Sequence, residues 1–376
     1  MIERQSDVRP RILRDVPAQN LAYRLDPDVS LPSEVKLDDV TDKFAAVQND
    51  FNTPKRQDDA LLRTVVSPDG RRVLALYGTS DEPSSAFRID LYGADGQFLR
   101  NIIPPGISCV FPETVTWSPD GSYINFIAHK RDAPSPSPTP VEDTPEPTGS
   151  PVPSPSIAPA FAPVASFSTE QIYICNRDGY DLKPLTAREG LIYFYFVWAP
   201  DGHAMAALAC KEDEWNERER QFKMPAGRPR LLELDGTERL LDDGLTDALP
   251  VWSPDAAKVA TAFDSDVAIY DAATTKPTQA RVLLGNQLIQ ASVVYEQRTA
   301  VRKVEPAKNV NSKSPAPAPE QSSTPVSFNP IVRLEWPSPE RLYFKTAYVR
   351  LMPSEAINTF QRWHLLNLSA QAAVLK

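Results

Sequence analysis

Three cysteines, three histidines and 14 glycines in 376 residues set the first limits on this chain. Cys109, Cys175 and Cys210 are odd in number and widely spaced, which fits neither a disulfide framework nor a metal-ligand pattern. Cys175 and Cys210 fall in strand-like runs and read as buried free thiols. His129, His203 and His364 lie far apart, and no two have metal-ligand spacing. Gly-x-Ser-x-Gly, His-Glu-x-x-His and a phosphate-binding glycine loop are all missing, and so few glycines make a nucleotide cradle a poor fit. Neither a cofactor nor a metal is expected. A run of about 18 apolar residues is also missing, so no membrane span is expected. Met1 to Asp7 is charged and leads into no apolar segment, so no signal peptide is visible and a cytoplasmic address is expected. The net charge of −9 argues against a nucleic-acid partner, which would favour a basic patch.

Proline is what the chain has in excess, with 38 residues. Many fall in two low-complexity stretches, about 133–163 and 305–325. Segments of this composition cannot bury enough surface to offset their ordering entropy, so both read as disordered inserts.

Outside the inserts one turn recurs. It is Ser67-Pro68-Asp69-Gly70, Ser118-Pro119-Asp120-Gly121, Ala199-Pro200-Asp201-Gly202 and Ser253-Pro254-Asp255-Ala256, with a worn copy at Ser338-Pro339-Glu340-Arg341. Proline pre-sets φ for the second position, aspartate bonds the backbone from the third, and glycine accepts a left-handed fourth. Such a turn closes an antiparallel hairpin. Ala256 must therefore either adopt the left-handed conformation or change the turn type. Trp117, Trp198, Trp252 and Trp336 stand just before four of the copies and read as packing between neighbouring sheets. A second signal follows each turn: an aliphatic and tyrosine strand, then Asp-Gly, as in Ile89-Asp90-Leu91-Tyr92 before Asp95-Gly96. Each repeat thus reads as four strands, A to D. The Pro-Asp-Gly turn closes A–B and the Asp-Gly turn closes C–D. A period near 50 residues built from strands implies a radial array of small sheets.

On these motifs the chain resembles the TolB-like, WD-like propeller repeats of bacteria, over roughly residues 61–376. The resemblance implies an all-β fold, a β-propeller of four-stranded antiparallel blades. Five blades are readable. TolB-like propellers have more, so either the ring has five, or residues 1–60 supply a degenerate sixth blade or a closing strand. The resemblance also implies the periplasm if a leader is missing from the sequence.

Strand order places the B–C loops and D–A crossovers on one face, and the length variation falls there. That face is expected to recognise a protein partner. In the B–C excursion of the third repeat, Trp215 and Phe222 are candidate partner anchors, with Arg218 and Arg220 beside them. The alternative for Trp215 and Phe222, seven residues apart, is the buried stripe of a short surface helix. The repeated aspartates Asp69, Asp120, Asp201 and Asp255 are explained by their turns rather than by a carboxylate cluster. The expected function is a non-catalytic, monomeric propeller scaffold for protein–protein interaction, with no enzyme activity. The alternative is a small-ligand or glycan-binding propeller, or a hydrolase acting at the channel mouth, with polar groups converging on the A strands.

Overall fold

The computed structural model describes residues 12–33, 35, 43–79, 86–131, 164–272, 275–303, 326–351 and 356–370. The two proline-rich stretches lie outside the described residues. The chain folds as two compact units, Met1–Val40 with Ile192–Lys376 (unit one) and Thr41–Leu191 (unit two).

Unit two holds two antiparallel sheets. Sheet one runs in the order Ala60–Val66, Arg72–Gly78, Arg88–Gly93, Phe98–Asn101. Sheet two is built on Tyr123–Lys130, which pairs on one side with Ile107–Val110 and Thr116–Trp117 and on the other with Gln171–Asn176; Lys183–Pro184 follows. Leu74, Leu76, Ile89 and Leu91 of sheet one and Trp117, Ile124, Phe126 and Tyr173 of sheet two share one core. Helix α1 (Ala45–Phe51) lays Val47 and Phe51 on the other face of sheet one, against Val73, Ala75, Tyr77 and Tyr92.

Unit one holds three sheets. Sheet three is Leu191–Trp198, Ala204–Lys211, Arg228–Glu233, Glu238–Leu240, and helix α2 (Glu212–Arg220) fills its B–C excursion. Sheet four is Val251–Trp252, Lys258–Phe263, Asp266–Asp271, Gln279–Val282, and helix α3 (Gly285–Lys303) follows it. Sheet five pairs Ile331–Ser338 and Val326–Phe328 with Arg341–Leu351, then Ala356–Ala370, and takes its outer strand from Leu21–Asp26. Register runs from Leu21 opposite Ala370 to Asp26 opposite Leu365. Asp271 holds the segment before that strand. Its carboxylate accepts the Ala18 amide (3.1 Å), the Thr278 hydroxyl (2.6 Å) and the buried Lys258 ammonium (2.9 Å).

Strand residues make up 47% and helical residues 16%, so the fold is mostly β rather than all-β. The correction has a physical cause. Helices α1 and α3 cover or follow sheets with little amphipathic pattern of their own; the face of α3 that meets the protein includes buried Ser292 beside Leu288.

The turns form as their chemistry dictates. Gly70, Gly121 and Gly202 have φ of 68°, 70° and 73°, and Ala256 takes the same conformation at 57°. The Ser67, Ser118 and Ser253 hydroxyls donate to Asp69, Asp120 and Asp255 at 2.7, 2.5 and 2.6 Å. The serine bonds lead in holding Asp69 and Asp120 below the usual carboxylate range. Two of the four repeat tryptophans tie sheets together; Trp336 donates instead to the Pro339 carbonyl of its own turn at 3.3 Å. The Trp117 indole N–H donates to the Val65 carbonyl of sheet one, and that of Trp252 to the Val197 carbonyl of sheet three, each at 3.1 Å. One step of the repeat is thus fastened twice by the same bond.

Candidate functional site

In unit one the first strands of successive sheets come together. Trp252 fixes sheet four to Val197 of sheet three, and strand Val251–Trp252 lies beside strand Ile331–Ser338. Alternation along Ile331–Ser338 puts Leu334 and Trp336 into the core and leaves Arg333 and Glu335 half-buried on the other side. Arg333 Nε donates to Glu335 Oε1 at 2.8 Å. Sheet three contributes Tyr195, half-buried on its first strand. Burial pushes its phenol up to about 12; the Glu335 carboxylate adds to the rise, and the Arg333 guanidinium opposes it. A phenol on one sheet therefore lies within electrostatic reach of a guanidinium and a carboxylate on another, all on partly open strands. The Arg333 and Glu335 side chains keep 37% and 24% of their surface exposed, so the pair can exchange partners with a ligand. Together these groups can donate to and accept from hydroxyls, and the tyrosine ring offers a flat apolar face.

A second polar group lies on sheet three. Tyr193 donates to Glu238 at 3.0 Å, and Glu238 also holds Arg230. These bonds run between strands of the same sheet.

The B–C excursion of sheet three divides its four candidate residues. Helix α2 is anchored by the Arg228 guanidinium, which grips Glu214 with two bonds of 2.7 Å and holds that carboxyl down to about 2. Trp215 turns inward and packs its ring 5.6 Å from that of Phe194. Arg218 is occupied by the Met224 carbonyl at 2.6 Å and by Asp247 at 3.7 Å. Arg220 is exposed and pairs with Glu217 at 2.9 Å. Phe222 lies beyond the helix end in a left-handed conformation, φ 52°, and is 98% exposed, with Met224 also exposed nearby. Trp215 and Phe222 thus do not share one helical stripe.

The turn residues Pro68, Asp69, Gly70, Pro119, Asp120, Gly121, Pro200, Asp201, Gly202, Pro254 and Asp255 sit in their hairpins, as described above. Cys109, Cys175 and Cys210 are buried and unbridged, and burial pushes the Cys175 thiol up to about 12. Among the described residues no group of three or more His, Cys, Asp and Glu could hold a metal ion, and no helix is long and apolar enough to cross a membrane.

No family model matches the chain, and no curated protein matches it. Solved structures do. An oligogalacturonate lyase in complex with manganese matches at 14% identity and a TM-score of 0.31, over 56% of this chain and 45% of that one. Prolyl oligopeptidase B from Galerina marginata matches at 10% identity and 0.41, over 91% and 45%. A nidogen/laminin complex matches at 9% and 0.33, over 84% and 87%. The chain spans about half the length of the lyase and the peptidase. At these identities the likeness concerns fold alone, which is propeller-like; no family model supports a TolB-like assignment. The expectation that the chain is not an enzyme is corrected. Enzymes stand among the matching structures. The physical reason is that missing contiguous motifs say nothing about sites assembled from distant strands.

Proposed function

We propose that this chain is a ligand-binding protein of propeller-like fold whose site is the first-strand cluster of unit one. The observation that carries the reading is the half-buried, ion-paired Arg333 and Glu335 on one strand, within electrostatic reach of Tyr195 on another. The ligand class is a polar small molecule of the glycan type. Glu335 and Arg333 would bond its hydroxyls, and the Tyr195 ring would cover its apolar face. Glu335 and Tyr195 are also groups able to exchange protons, so the assay reads turnover as well as binding. Thermal-shift screening of the full chain against mono- and oligosaccharides tests the reading, because a ligand of the native state raises its stability. A sugar that raises the melting temperature of the wild type but not of Tyr195→Phe/Glu335→Gln supports it. Equal shifts in both, or none with any sugar, would sink it.

One observation favours a second reading, a protein partner docking on residues 212–224. Phe222 is 98% exposed with Met224 beside it, and exposed aromatic side chains rimmed by charge mark interfaces. Capture of a stoichiometric partner by the wild type and not by Phe222→Ser supports this reading. Equal capture by both refutes it.

A further inference from the structure

On the turn side of unit one, a cleft of about 410 Å³ opens between sheets three and four. The repeats themselves explain why it is there. In unit two the corresponding rim is closed by two arginines. Arg177, on the C–D turn of sheet two, donates to Asp69 Oδ2 on the A–B turn of sheet one at 2.7 Å. Arg72, heading the second strand of sheet one, donates to Asp178 Oδ1 at 3.2 Å. Ser67 adds its hydroxyl to Asp69 at 2.7 Å.

Register gives the counterparts in unit one. Ala199 opens its turn where Ser67 opens the other. Ala204 pairs with Glu233 as Arg72 pairs with Gly93. Ala272 follows Asp271 as Arg177 follows Asn176. All three alanines line the cleft. The two side chains that bond Asp69, Ser67 and Arg177, are thus methyls in the second repeat pair, and so is Arg72, the partner of Asp178.

The turn carboxylate has been kept, and a second has been added. Asp201 matches Asp69 and keeps 47% of its side chain exposed; it accepts the His203 amide at 3.1 Å. Glu233 stands where sheet one has Gly93, and Asp235 matches Asp95. Both line the cleft with Asp201. Basic side chains stand close by: the His203 ring Nδ1 is 3.6 Å from Asp201, Arg239 lies near Glu233, and Arg14 and Lys276 line a neighbouring pocket with Asp201 and Ala256. Arg239 donates to the carbonyls of Asp271 and Ala272 at 2.7 and 3.0 Å. The cleft also takes in Leu231, Trp252 and Ala256, an apolar floor suited to the methylene stem of a long cationic side chain.

We infer that this cleft receives a guanidinium group from outside the chain, the arginine side chain of a protein partner, in the place that Arg177 fills between sheets one and two. Arginine suits the site better than lysine. Its planar fork can bond Asp201 and Glu233 together, whereas an ammonium is a point charge that holds its water more tightly. The site is separate from the first-strand cluster, and its test does not depend on that reading.

The test is calorimetric titration of the full chain with N-acetyl-Gly-Arg-Gly-amide, and with the lysine peptide beside it. The wild type binds the arginine peptide saturably, and the lysine peptide about tenfold more weakly. Asp201→Asn/Glu233→Gln weakens the arginine peptide by about tenfold or more. Ala272→Arg supplies the missing side chain from within and abolishes binding while circular dichroism stays that of the wild type. Arginine binding that is absent in the wild type up to about 10 mM overturns the assignment, and so does binding that survives both substitutions. If Ala272→Arg fails to fold, the Asp201/Glu233 variant decides alone, and unchanged affinity there overturns the assignment.

Discussion

His364 should make this protein acid-sensitive well above the range where carboxylates titrate. Its side chain is fully buried, with its ring stacked 5.2 Å from that of Phe344. Nδ1 accepts the Asp28 amide at 3.4 Å, which leaves the proton on Nε2, 2.9 Å from the Thr346 hydroxyl. The Asp28 carboxylate is paired with Arg362. Burial first, and the Arg362 charge second, push the imidazole down to about 3. A histidine held neutral in the fold and free to charge in the unfolded chain contributes stability that is complete above the unfolded value near 6.5. That stability is lost as the pH falls from there toward 3. The slope is about 1.4 kcal/mol per pH unit for one proton, so about 2 kcal/mol is gone at pH 5 and about 5 kcal/mol over the full window. His364→Gln removes the titration and costs about 1–3 kcal/mol at pH 7 for the disturbed hydrogen bonds. Urea unfolding at half-unit steps from pH 7 to pH 4 should therefore show two curves that converge near pH 5, the wild type falling more steeply by one proton. Parallel curves would refute the reasoning.

Further outcomes follow from the same geometry. Asp271→Asn strands the buried Lys258 ammonium and loosens the bond to Ala18; it should cost about 3–5 kcal/mol in chemical denaturation, and a cost under about 1 kcal/mol would contradict the clamp. Gly227→Ala would put a Cβ 2.8 Å from the Ala209 backbone nitrogen and should cost about 2–3 kcal/mol. Gly70→Ala meets nothing within 4 Å and bears the left-handed penalty alone, about 1 kcal/mol. Equal losses in the two glycine variants would show that backbone crowding at Gly227 is not what its glycine relieves.

The parts of the fold that local chemistry determines were readable. Pro-Asp-Gly turns and the tryptophans before them encode hairpins and sheet-to-sheet contacts within a few residues, and Ala256 shows the turn surviving without its glycine. Parts that depend on distant pairing were not. A closing strand from residues 1–60 was one of the alternatives open in the sequence, but no turn signal places it at Leu21–Asp26, which joins residues 365–370 across almost the whole chain. Helix α3 was missed because its inner face mixes Leu288 with Ser292, where a hydroxyl bonds Asn329 at 2.7 Å and takes a bond from Arg362 at 2.6 Å. Of the candidate sites, the excursion around Trp215 stood out because it broke the repeat. Tyr195, Arg333 and Glu335 gave no pattern, since strands from two repeats bring them together. The cleft beside Asp201 is a site by subtraction, made by alanines at 199, 204 and 272, and only comparison between repeats reveals it.

The most direct test of the first-strand site is the dissociation constant of a sugar found by screening, measured by calorimetry on the wild type and on Glu335→Gln. Affinity should fall about tenfold or more in the variant, with the melting temperature of the unliganded protein unchanged. The same affinity in both proteins would contradict it.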